Sequence, residues 1–80
     1  NPEMERRVRD VAAAVPGVAS LDACIVRKMG FEFFVDLHVE VDPQITVAAG
    51  HGIAHRVKDA VRRGIPEVRD VLIHIEPAGD

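Results

Sequence analysis

Apolar and polar residues alternate strictly through the middle of the chain. From Phe31 to Pro43 the sequence reads FEFFVDLHVEVDP. Phe33, Val35, Leu37, Val39 and Val41 take every second position, and Phe34, Asp36, His38 and Glu40 lie between them. A period of two places the first set on one face of a β-strand and the second set on the other. The apolar set is β-branched or aromatic apart from Leu37, which suits a strand buried on one side. Proline cannot continue a ladder, so Asp42-Pro43 closes the strand.

The flanking segments follow the same logic. Met4, Val8, Val11, Ala12 and Val15 recur at helical spacing, which predicts a first helix from Glu3 to Ala14. Asn1-Pro2 starts it, Glu3 and Glu5 suit its positive end, and Pro16-Gly17 stops it. Val18 to Met29 reads as a strand in which Leu21, Ala23 and Ile25 alternate with Asp22, Cys24 and Val26. Gly30 is the turn of a hairpin leading into the central strand.

Thr46 is a good N-cap for a second helix from Val47 to Arg63, whose apolar stripe runs through Ile53, Ala54, Val57, Ala60 and Val61. Gly50 and Gly52 weaken its first turns and point to a close approach there. Gly64 ends it, with Arg62 and Arg63 in the last turn. A last strand covers Val68 to Glu76, with Val71, Ile73 and Ile75 on one face and Leu72, His74 and Glu76 on the other, followed by a tail from Pro77 to Asp80. The order α-β-β-α-β predicts an α+β, reduced ferredoxin-like sandwich: a three-stranded sheet with two helices on one face. The crossover through the second helix should make the last strand parallel to the central one.

Length sharpens this picture. Eighty residues make one domain, and a chain of this size buries only about 60–65% of its extended surface. Such a domain gains from a dimer or a bound metal. The net charge is −3, from ten basic and thirteen acidic residues, and there is no Trp or Tyr. That balance argues against a nucleic-acid or anionic-membrane partner. Cys24 is the single cysteine, so no internal disulfide forms and a reducing compartment is expected. No apolar run approaches the roughly 20 residues of a membrane span, and no signal peptide is present. The chain begins at Asn1 without an initiator Met, which suggests a domain excised from a longer protein.

Charge placement brings in the chemistry. If the helices cover the Val and Ile faces, the open sheet face carries Phe34, Asp36, His38 and Glu40 from one strand and Leu72, His74 and Glu76 from another. Asp22 and Cys24 would join them from the first strand. Asp36, His38 and Glu40 follow one another at about 6.8 Å. Carboxylate and imidazole on one surface are the ligand set of a borderline divalent cation. His51, near the start of the second helix, is a third imidazole within reach of the end of the central strand. His51 and His55 stand at i and i+4, a spacing that fits zinc, but no Glu follows His51 and the metalloprotease motif is not met. His55 reads as a surface histidine and Cys24 as a small buried residue rather than a ligand. Phe34 and Leu72 on a polar face read as interface residues. No nucleophile elbow, phosphate loop or dinucleotide fingerprint is present, so no enzyme is expected.

The stretches VPGV (Val15 to Val18), VRKMG (Val26 to Gly30), FVDLHVEVDP (Phe34 to Pro43), GHGIAHRVKDAV (Gly50 to Val61) and VLIHIEP (Val71 to Pro77) together resemble the C-terminal cytoplasmic domain of the cation diffusion facilitator family. The resemblance implies a homodimeric, metallochaperone-like α-β-β-α-β domain on the cytoplasmic face of a membrane, attached to the transmembrane part of a divalent-metal exporter. Metal binding would draw the protomers together and favour transport. The cation implied is zinc, with iron or manganese as alternatives. Carried over by motif, the ligands fall on His38, His51, His74 and Glu76. Asp36 matches a ligand position in the magnetosome branch, where an aromatic matches Phe34. Asp22 lies where some zinc exporters carry a histidine, and His55 replaces an Asp found in some members. Two rival readings share the fold: a free metallochaperone, which would be expected to carry a CxxC that this chain lacks, and a small-molecule-sensing regulatory module.

Overall fold

Helix α1 (Pro2–Ala13), strands β1 (Ser20–Met29) and β2 (Glu32–Val41), helix α2 (Val47–Gly64) and strand β3 (Val68–Pro77) follow in that order in the computed structural model, which describes residues 1–79. β2 lies between β1, which pairs with it antiparallel, and β3, which pairs with it parallel. The predicted α+β sandwich is therefore the observed one, with α1 against β1 and α2 against β3 on the same side of the sheet.

Local chemistry sets the ends. The Asn1 side chain accepts a hydrogen bond from the Met4 amide at 3.0 Å, and Thr46 accepts from the Ala49 amide at 3.0 Å, so each helix has a polar N-cap. The hairpin turn is Gly30-Phe31, since Met29 pairs with Glu32. Gly30 has φ +65° while Phe31 after it does not have a positive φ, which is the pattern of a turn with glycine at its first central position. Phe31, expected at the start of the central strand, is instead the 96%-exposed tip of this turn.

The core lies between the helices and one sheet face. Val35, Leu37 and Val39 of β2 are at most 1% exposed and pack with Val8 of α1 and Val57 and Val61 of α2. Arg7 of α1 donates to both carboxylate oxygens of Glu67, at 3.1 and 3.4 Å, and ties the first helix to the loop before β3. That contact holds the Glu67 carboxyl below its usual range.

Two expectations are corrected here. The register of β1 against β2 slips between Leu21 and Cys24, a β-bulge. Beyond it Cys24 and Val26 turn to the helix layer while Ile25 turns to the open face, 49% exposed. Cys24 is thus not on the open face, and burial pushes its thiol pKa up. The glycines of α2 are not forced by crowding: a Cβ at Gly50 would meet Ile75 at 3.7 Å, an ordinary contact, and one at Gly52 would meet only the flexible Arg56 side chain, at 3.3 Å.

Gly17, after α1, is different. It has φ +97°, and a Cβ there would lie 2.7 Å from Cδ1 and 2.8 Å from Cγ1 of the buried Ile53. Gly17→Ala is expected to cost about 1–3 kcal/mol, from left-handed backbone strain and the displaced Ile53. Urea unfolding measures it; a change within the error of the midpoint would show that the loop after α1 is not held against α2.

Candidate metal site on the open sheet face

The ladder places the polar residues in rows. Pairing of β2 with β3 sets Phe34 beside Asp70, Asp36 beside Leu72, His38 beside His74 and Glu40 beside Glu76. Each pair shares a face because paired residues in a sheet point the same way. The row His38–His74 and the row Glu40–Glu76 therefore stack along the open face, away from the helices. Asp22 reaches the same area from the bulge of β1, beside Leu21, whose neighbour across the ladder is Val39.

The side chains converge. His38 Nδ1 and Glu76 Oε2 are 2.6 Å apart, and the His38 and His74 rings stack with centroids 4.4 Å apart and planes 15° from parallel. Carboxylate oxygens of Asp22, Glu40 and Glu76 lie within 4.8 Å of one another. Among the described residues none of these three carboxylates pairs with a Lys or Arg, although Ser20 donates to Glu40. The hydrogen bond with His38 is the largest cause holding the Glu76 carboxyl below its usual value; desolvation opposes it, and the charge of His38, a hydrogen bond with Asp22 and the nearby His74 add to it.

Three carboxylates this close repel one another unless a shared proton or a cation lies between them. Two imidazoles border the acidic group on one side. His38 is oriented by a carboxylate at Nδ1, the arrangement by which a carboxylate presents the other ring nitrogen of a histidine to a metal. Mixed oxygen and nitrogen donors on a partly exposed face can hold a borderline divalent cation.

The remaining candidates lie around this cluster. Asp36 is one same-face step from His38 and faces Arg27, at 3.5 Å. His51 is on the helix layer, where its Nε2 is 3.0 Å from Nε2 of His55. It lines a cleft of about 430 Å³ with Val41, Asp42, Ile45, Ile75 and Glu76, at the end of the sheet that carries the cluster. Phe34 is half-buried and Leu72 is 57% exposed, both on the open face with Ile25. Glu40 belongs to the cluster but was absent from the motif-derived ligands. Its position two residues after His38 on the polar face is the signal that finds it.

A family model described as the cytoplasmic domain of cation efflux proteins matches residues 1–78. Metal tolerance protein C1 of Arabidopsis thaliana is 32% identical over 71 residues, which cover 89% of this chain and 15% of that protein. Manganese efflux system protein MneP of Bacillus subtilis is 27% identical over 77 residues, 96% of this chain and 26% of that protein. The chain thus spans about a quarter or less of the length of these relatives. Among solved structures, the nickel form of a MamM CTD variant superposes with a TM-score of 0.96 at 25% identity, covering 99% of this chain and 100% of that one.

Proposed function

The chain belongs to the family of cytoplasmic domains of cation efflux proteins, and on that premise we propose that it is the metal-sensing, dimerising C-terminal domain of a divalent-metal exporter. The family is one of metal-transporter domains and not of enzymes. The observation that carries the reading is the convergence of Asp22, Glu40 and Glu76 beside His38 and His74, with no Lys or Arg among the described residues to neutralise the acids. Asp36 and His51 flank the cluster and complete the proposed donor set. Zinc is the metal proposed, because imidazole with carboxylate suits it and asks for no rigid octahedron. One relative is named a manganese efflux system protein, and a neighbour of the same fold was solved in a nickel form, which supports a site for first-row divalent ions.

The rest of the exporter would be a membrane domain attached to this one, with this domain on the cytoplasmic side. The open face would be the surface where two copies meet. Phe34, Ile25 and Leu72 give it an apolar patch next to the acidic cluster, and a domain this small gains by covering it. Bound cations would remove the repulsion between the acidic clusters of two apposed faces. Metal would thereby favour the closed dimer over an open or dissociated one, since a ligand shifts an equilibrium by its differential affinity for the two states.

Sedimentation with and without zinc, combined with calorimetry, tests this. The wild-type chain is expected to bind zinc and shift toward the dimer, and His38→Ala or His74→Ala to weaken binding by about tenfold or more. Leu72→Ala is expected to weaken the dimer while leaving the monomer folded. A chain that stays monomeric at high micromolar concentration with zinc present would sink the proposal.

A further inference from the structure

We propose that the tip of the β1–β2 hairpin and the basic rim beside it dock on an anionic lipid surface. The inference rests on the reading above, in which a membrane domain is joined to this one ahead of Asn1. At the tip, Phe31 is 96% exposed and Met29 is 62% exposed. Gly30 sets the turn, so the ring after it serves neither the ladder nor the core. An apolar ring raised on a tight turn is suited to the headgroup layer, where Phe and Leu side chains enter beside Lys and Arg.

Charge around the tip complements such a surface. The net charge of −3 speaks against a membrane partner only if it is spread evenly. Asp22, Glu40 and Glu76 gather where β2 and β3 end. The hairpin end carries Lys28, whose ammonium lies 5.9 Å from the centre of the Phe33 ring. Arg62, Arg63 and Arg69 line a recess of about 580 Å³ there, together with Glu32, the chain neighbour of Phe31. Among the described residues Lys28, Arg62 and Arg63 form no ion pair with a carboxylate, and Arg69 reaches Glu32 only at 3.8 Å.

The course of the chain brings the tip to the right place. Arg7 of α1 binds Glu67, and the Glu67 carbonyl accepts from the Phe33 amide at 2.9 Å. The start of α1 therefore lies at the hairpin end, while Gly17, after α1, lies against Ile53 near the start of α2. A membrane domain ahead of Asn1 would hold the tip close to the bilayer. A short tether supplies an effective concentration on the order of millimolar, so a weak contact is enough. The acidic cluster then points away from a surface that would repel it.

Flotation on vesicles rich in phosphatidylserine, and on vesicles of phosphatidylcholine alone, tests the docking. The wild-type chain is expected to bind the first kind and to be released by high salt. Phe31→Ser is expected to weaken that binding by about tenfold or more. Lys28→Ala is expected to weaken it by about fivefold. Val47→Ser, which removes a 91%-exposed side chain at the start of α2, is the control and is expected to change nothing. The chain has no Trp, so the emission of a Phe31→Trp variant reports the tip alone and is expected to shift to the blue on anionic vesicles only. Equal binding by wild type and Phe31→Ser, or no blue shift, would overturn the inference. A wild-type chain that ignores both kinds of vesicle would also overturn it and leave the attached membrane domain as the partner of the tip. Zinc binding and dimerisation are read separately: their loss with vesicle binding retained counts against the proposed function, and the reverse counts against this inference alone.

Discussion

Zinc is expected to raise the melting temperature of this domain by roughly 10–20 °C at about pH 8 and by only a few degrees at about pH 5.5. The first figure follows from linkage. A ligand a hundredfold above its dissociation constant stabilises the folded state by about 2.7 kcal/mol, and a domain of this size moves about 4–8 °C per kcal/mol. The second follows from proton competition. Imidazole must be neutral to bind metal, and the ordinary imidazole pKa is about 6.5. Two such rings are both neutral in most molecules at pH 8 but in about 1% at pH 5.5, which weakens binding roughly a hundredfold. Zinc then stands near its dissociation constant, and the stabilisation falls to about 0.4 kcal/mol.

The carboxylates behave differently, and the sign of their shift matters. The Glu76 carboxyl is held below its usual value, first by its hydrogen bond with His38. A group whose folded pKa is depressed contributes stability above its unfolded pKa and loses it as pH falls through the folded value. Glu76 therefore stays ionised at both test conditions, and its own contribution fades only below the ordinary carboxylate range. A metal-induced shift of equal size at the two pH values would remove histidine ligation as its source. It would leave Asp22, Glu40 and Glu76 as a harder, oxygen-only site. Small-angle scattering at the higher pH should show compaction if the metal closes a dimer, and a melting shift without compaction would place the ion within one protomer.

How much of this the chain spells out depends on how one-sided each element is. β2 is legible residue by residue because its two faces differ in every position from Phe33 to Val41, and the buried and half-buried residues alternate accordingly. β3 follows the same rule less strictly, with Ile75 on the helix side yet 37% exposed near the strand end. β1 is where reading from sequence fails. Ala23, Cys24, Ile25 and Val26 are apolar in succession, so either phase satisfies the pattern, and the bulge chooses the phase that puts Cys24 inside and Ile25 outside. Phe31 misled for a related reason: it extends the aromatic run of β2, but the glycine before it sets the turn.

The site divides in the same way. His38, His74, Glu40 and Glu76 share a face by period alone, and their pairing across the sheet follows once the crossover is parallel. The contact of Glu76 with His38, the approach of Asp22 through the bulge and the closure of His51 on His55 depend on side-chain conformers and on local irregularity. No periodic pattern carries that information.

Leu37→Ala is expected to be the most damaging single truncation, costing about 2–5 kcal/mol. Leu37 is 0% exposed at the centre of the middle strand, and the core it fills is built from both helices. The domain has 80 residues, which places its total stability at about 4–12 kcal/mol. One isopropyl group thus accounts for a large fraction of the margin, and the variant should melt roughly 8–40 °C lower. The effect also reaches the open face, because Leu37 lies between Asp36 and His38 in the chain. Its docking into the core holds the strand segment that presents both side chains. Zinc is expected to recover part of the loss at pH 8, up to the linkage figure of about 2.7 kcal/mol, since folding and ligand assembly are one equilibrium here. Urea unfolding of wild type and variant, with and without zinc, measures both terms; an unchanged slope with a lower midpoint identifies a change in stability alone. Leu72→Ala on the opposite face of the same sheet is the control, with an expected monomer cost within about 0.5 kcal/mol because that side chain is 57% exposed. A loss for Leu37→Ala no larger than that of Leu72→Ala would mean that the helices do not cover the face of β2 that the structure assigns to them.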